Sequence, residues 1–172
     1  FSPRSLDVDV ILDLMIHDLQ ILQAMDSSPV VEVRAVGIPV LSERIDIANA
    51  RIAFASGLVA NVTASRVSGE RVRKLRAFFP DRYLSLDYQA QEIKGYRLDA
   101  SAGGRAILPA NPPVVKSEPL LCELAAFVAA CRGERVRQVD GRAGRQALAT
   151  ALEVVAAAAP GPTPAAPDGV LC

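Results

Sequence analysis

The chain has no tryptophan, and aromatic residues are only 5% of its 172. That is thin material for the stacking platforms that single-stranded nucleic acids require. It also lacks an excess of either charge, with 19 Lys plus Arg against 19 Asp plus Glu and no polybasic block. Nucleic acid is therefore not an expected partner. No apolar run is long enough for a bilayer and no secretory signal pattern is present, so a cytoplasmic protein without a membrane partner is expected. Cysteine is scarce: Cys122, Cys131 and Cys172 are odd in number and show no metal-ligand spacing. They read as free thiols in a reducing compartment. The glycines Gly103-Gly104 and Gly141-x-x-Gly144 do not make the Gly-x-Gly-x-x-Gly turn of a dinucleotide fold. Histidine occurs once, as His17.

What the chain has in quantity is apolar residue: 51% hydrophobic against 22% charged, enough for one domain with a real core. It opens on Phe1-Ser2-Pro3-Arg4, directly before a strong helical pattern. This reads as a piece of a longer polypeptide cut at a domain boundary, or as a processed N-terminus. Residues 6–25 are predicted helical, with Ser5 or Asp7 as cap. Val8, Ile11, Leu12, Met15, Leu19 and Leu22 form one apolar face at helical spacing, and Val10, Leu14, His17 and Ile21 a second on the opposite side. A helix with two apolar faces belongs between two layers. Strands are predicted at Val30–Ile38, Ile45–Ala55, Leu58–Val67, Arg73–Phe79, Tyr83–Asp87 and Glu92–Leu98, with a hairpin turn at Ser56-Gly57. Short connections require antiparallel neighbours, hence a meander with one face free for a partner. Residues 100–117 read as loop with at most one short strand. Glu118–Arg132 and Arg142–Ala159 read as helices, and 160–172 as a flexible tail. The expected fold is α+β, an open, mainly antiparallel β-sheet with helices packed on one face.

The chemistry candidates begin with Asp13 and His17, four residues apart on one helical face and roughly 40° apart around the axis. A charged pair in an apolar segment is costly unless it is paired or used. One reading is a core-edge histidine tied to a carboxylate. Another is a general acid/base imidazole oriented by that carboxylate. A third adds Asp9 as a metal ligand beside them. The basic residues Arg66, Arg71, Arg73, Lys74 and Arg76 read either as a solvated surface or as a clamp for an anionic group such as a diphosphate. Arg4, just before the helix, is a further cation of this kind.

Taken together, these segments resemble a known pattern. Residues Ser5–Leu19, with Asp13-x-x-x-His17 inside them, resemble the Asp-x-x-x-His helix of the glucose–fructose oxidoreductase / inositol dehydrogenase (Gfo/Idh/MocA) family. Glu118–Phe127 and Val139–Leu148 are similar to that family's closing pair of helices. Val36–Val40, Asp46–Arg51 and Asn61–Val67 are similar to its C-terminal sheet. More narrowly, the resemblance is to its nucleotide-sugar branch, the UDP-N-acetylglucosamine 3-dehydrogenases, and runs from the start of the chain through the last predicted helix.

The resemblance implies a two-domain enzyme that oxidises a sugar or nucleotide-sugar hydroxyl. Residues 1–159 would be its C-terminal substrate-binding and oligomerisation domain. NAD or NADP would be bound mainly by an N-terminal Rossmann domain absent from this chain, which alone would be inactive. His17 and Asp13 match the family's catalytic pair, and Arg4 or Arg66 would meet the substrate's diphosphate. The family's Glu-Lys-Pro lysine has no counterpart, since Lys116-Ser117-Glu118-Pro119 is a different sequence. The sheet would mediate a homodimer or homotetramer. The alternative is a non-catalytic binding or assembly module on the same scaffold.

Overall fold

In a computed structural model, residues 6–101, 105–136 and 139–158 are described. They divide into two compact units. The first joins the residues up to Ser68 with those from Val139 onward, and the second is Gly69–Gln138.

The first unit starts with a π-helical turn, Ile11–Met15, that runs into helix α1, Ile16–Met25. Strands β1 (Val30–Ile38), β2 (Ile47–Phe54) and β3 (Val59–Ser65) follow as an antiparallel meander in that order. The β2–β3 turn falls at the predicted Ser56-Gly57, where Gly57 takes φ +94°, a value open to glycine at little cost. Alternation along β2 and β3 puts Ala48, Ala50, Ile52, Phe54, Ala60, Val62 and Ala64 on one face. The α-helix Gly141–Ala157, the last of the described elements, packs with α1 and the π-turn on that face. Its cap is Asp140, whose carboxylate accepts from Ala143 N at 2.8 Å. Ala147, Thr150, Ala151 and Val154 make its buried stripe, and the many small side chains let helix and sheet approach closely. Gln23 Nε2 ties α1 to this helix by donating to Thr150 Oγ1 at 2.8 Å.

The second unit is another antiparallel meander, β4 (Lys74–Phe78), β5 (Arg82–Asp87), β6 (Glu92–Asp99) and β7 (Ala106–Pro109). Phe78, Tyr83 and Tyr96 stand in register across three strands, with ring centroids 4.9 and 6.3 Å apart. Gly95 is required on β6 because a Cβ there would lie 2.2 Å from the Ala110 carbonyl oxygen. Helix α2, Pro119–Cys131, is capped by Glu118, which accepts from Leu120 N and Leu121 N. The helix ending the first unit is accordingly α3.

The α+β class, the antiparallel pairing and the helices on one sheet face are as expected from the sequence. Two details differ. The strands form two sheets, one per unit, instead of one meander. The helix expected over 6–25 begins only at Val10: residues 6–8 are turn and bend, Asp9 is not helical, the next turn is π-helical, and Val8 stays 36% exposed while Val10 is fully buried. A helical wheel does not apply to residues 6–9, and the step in the π-turn that follows differs from that of an α-helix, so a wheel drawn over 6–25 misplaces Val8 and Val10. In keeping with the expectation, the described part of 100–117 carries one short strand, β7. The predicted tail, 160–172, lies outside the described residues.

Candidate active site

Asp13 sits within the π-turn and is half-buried, whereas His17 lies in the first turn of α1 and is exposed. No hydrogen bond or ion pair joins their side chains among the described residues. The imidazole is therefore not held by Asp13 as a structural prop. The side chain lies exposed on the first turn of α1. Asp9, the third residue of the metal reading, is engaged elsewhere: its Oδ1 accepts from Ile45 N at 2.9 Å. Among the described residues no group of three or more His, Cys, Asp or Glu is arranged for a metal ion.

The entry to this helix is fixed by the sheet. Val10 N donates to Ile45 O at 2.8 Å. Arg66 Nη2 donates to Val8 O at 2.6 Å. Arg66 Nε lies 3.4 Å from Oδ1 of Asp46, whose side chain is wholly buried. That carboxylate also accepts three successive backbone N–H bonds, from Val40, Leu41 and Ser42, at 2.8, 2.6 and 3.1 Å. Burial alone would raise the Asp46 pKa. The three amides and the Arg66 charge outweigh it and hold the carboxyl below the ordinary carboxylate range.

This changes the reading of Arg66. Expected as a substrate cation, it has a side chain only 8% exposed and committed to Asp46 and Val8. A guanidinium so engaged is a poor anchor for a diphosphate. The basic cluster is divided by the fold: Arg71, Arg73, Lys74 and Arg76 are exposed in the second unit, with Lys74 Nζ 3.4 Å from Asp87. Arg4 lies outside the described residues. Sequence reasoning missed the role of Asp46, although an aspartate between Ile45 and Ile47 in a strand pattern is itself a signal, because such a charge must be paired. It also missed the shallow depression on the outer face of the first sheet, lined by Arg34, Val36, Asn49, Arg51, Asn61 and Thr63.

No family model matches the chain. A curated relative does: UDP-N-acetylglucosamine 3-dehydrogenase of Acidithiobacillus ferrooxidans is 39% identical over 156 residues, which are 90% of this chain and 50% of the relative. The solved structure of that organism's UDP-N-acetylglucosamine 3-dehydrogenase GnnA superposes with TM-score 0.81, again at 39% identity, over 91% of this chain and 50% of its own. An NAD-binding protein from Listeria innocua shares the fold at TM-score 0.69 and 18% identity, over 87% of this chain and 45% of its own. Levoglucosan dehydrogenase, solved with NADH, shares it at TM-score 0.69 and 17% identity, over 86% and 47%. By fold and sequence the chain resembles half of a Gfo/Idh/MocA-type oxidoreductase. Within that class its sequence is similar to UDP-N-acetylglucosamine 3-dehydrogenase, and it spans about half the length of that relative.

Proposed function

We propose that this chain is the substrate-side half of an NAD(P)-dependent oxidoreductase that oxidises the hydroxyl of a sugar or nucleotide sugar, with the 3-hydroxyl of UDP-N-acetylglucosamine as the favoured substrate. The observation that carries this is the 39% identity sustained over 90% of the chain. The geometry is compatible with it. His17 is exposed in the first turn of α1, and Asp13 precedes it by four residues. The part of the reaction this chain can supply is the proton: the neutral imidazole takes it from the substrate hydroxyl. Asp13, on the turn before, is placed to orient the ring once substrate approaches.

The described residues do not fit a dinucleotide. Both sheets are antiparallel, and no strand leads through a glycine-rich turn into a helix. NAD or NADP would therefore be held mainly by an N-terminal Rossmann domain belonging to the same enzyme. Arg4 remains a candidate for the substrate's phosphates, and Arg66 does not. The outer face of β1–β3, with Val36 57% and Ile38 51% exposed, suits assembly into a homodimer or homotetramer. The same face supports the second reading, a non-catalytic assembly module. Among the described residues no helix is long and apolar enough to cross a membrane. Cys122 and Cys131 are free and exposed, which fits a reducing cytoplasm.

The test is turnover by the complete polypeptide and its His17→Ala variant, followed as nicotinamide reduction with UDP-N-acetylglucosamine and with free sugars. Losing a general base should cost about 100- to 10,000-fold in kcat. Full turnover by a folded His17→Ala variant sinks the assignment.

A further inference from the structure

The buried pair Asp46–Arg66 has a structural reach that its stability alone does not explain. A buried ion pair contributes little net stability compared with well-packed apolar residues, and its best-attested use is fixing register. Here the register at stake is that of the helix bearing His17. Asp46 is itself held in the sheet, its N–H donating to Ile38 O and its carbonyl accepting from Arg66 N, both at 3.0 Å. From that fixed point three links run to three consecutive residues before the π-turn. Arg66 Nη2 reaches Val8 O, Ile45 N reaches the Asp9 carboxylate, and Val10 N reaches Ile45 O. The π-turn begins at the next residue, Ile11. A wide turn of this kind is rare and tends to mark functional segments. Its direction is set by whatever fixes its first residues.

We propose that Asp46 and Arg66 are positioning residues for His17: through the Arg66 bond to Val8, next to the backbone links from Ile45 to Asp9 and Val10, they set the rotation of the π-turn and so the direction of the imidazole. The proposal rests on the reading of His17 as the proton acceptor. Neither residue touches substrate. Asp46 orders the 40–42 loop with three amide bonds and turns the remaining charge onto Arg66. Arg66 carries the constraint to the helix entry. A shift of the imidazole by about 1 Å is worth on the order of 100-fold in rate.

Two measurements test this. The chain's single histidine gives one set of imidazole C–H signals, so His17 is read directly by proton NMR on the 172-residue chain. Asp46→Asn and Arg66→Met should each move those signals and their titration midpoint, and should speed amide exchange from Val10 to Ile16 by tenfold or more. Arg66→Lys, which keeps the charge, should restore most of the effect. Asp26→Asn is the control, since Asp26 bonds Ser28 N and Ser56 Oγ in the same unit without a link to residues 8–10. In the complete polypeptide, Asp46→Asn should lower kcat tenfold to 100-fold with KM within twofold. Unchanged His17 signals and exchange in a folded Asp46→Asn chain overturn the proposal. If that variant does not fold, Arg66→Met, which leaves the three amide bonds to Asp46, decides by the same readout. Should His17→Ala retain full turnover, the proposed function falls, while the NMR result still shows whether the pair directs the helix.

Discussion

In the first unit each element turns an apolar face to another element of the same unit. Ile11, Met15 and Leu19 from the helical side meet Ile52, Phe54 and Val62 from the sheet, with Val154 of α3 closing the cluster. The second unit is built from similar strands and an even more apolar helix, yet α2 has no buried residue. Leu120, Leu121, Leu124, Phe127 and Val128 along it are 45–65% exposed, and Phe78 on the sheet is 78% exposed. The difference teaches that apolar content and packing are separate properties. The first unit spends its hydrophobic residues on itself. The second displays them, and a helix apolar on nearly all sides is of the kind that normally ends up covered.

The largest expected effect that would sharpen this contrast is a cavity in the first unit. Ile52 is fully buried at the centre of the sheet, so Ile52→Ala should cost about 2–5 kcal/mol in denaturant unfolding. Next comes the one tight backbone approach of the second unit. Gly95→Ala forces the new Cβ against Ala110 O and should cost about 1–3 kcal/mol, read as faster amide exchange along β5–β7. Cost at Gly95 equal to that at Ile52 would show the second unit to be as tightly packed as the first.

The third test uses acid. The folded Asp46 carboxyl lies below its ordinary value of 3.8. Its stabilising contribution is therefore fully present above that value and drains away as pH falls through the lowered one. The stability gap between the wild-type chain and Asp46→Asn should accordingly be widest near neutrality and close in strong acid. Melting curves from pH 7 down to pH 2 check this, and a gap that stays constant would mean that the charge contributes nothing. The smallest effect belongs to α2. Leu121→Ala should change stability by no more than about 0.5 kcal/mol, as at an ordinary surface position. A loss of several times that would break the contrast by showing α2 covered in solution.

Much of this was legible in the sequence because local rules and tertiary packing agree there. Strand alternation in Ile47–Phe54 and Val59–Ser65 is read directly as one buried face, and Ser56-Gly57 as the turn between them. Asp140 and Glu118, each just before an apolar helical pattern, fall at the N-caps. The division into two sheets was not legible, because each strand's pattern is the same whichever sheet it joins. The π-turn was hidden for a related reason: periodicity is judged at an assumed step, and the apolar spacing runs back unbroken through residues 6–9, which are not helical. Of the candidate site, Asp13 and His17 were visible as residue types at a helical spacing. The engagement of Arg66 with Asp46 was not, since the two are twenty positions apart in sequence and meet only when β2 and β3 pair.

The π-turn also gives this helix one residue of slack in its length. A hydrogen-bonded ring that spans five residues holds one more than the α-helical ring of four. Deleting a single residue between Ile11 and Met15 would leave a chain still able to form an unbroken α-helix. Because the wide turn already holds the surplus residue, the α-helical turn left behind would keep everything beyond the deletion, His17 included, near its present bearing about the axis while Val8 to Val10 stayed anchored to the sheet. A frame-preserving loss of one codon there would thus change the length of the helix by one rise, with helix content intact and the imidazole pointing much as before.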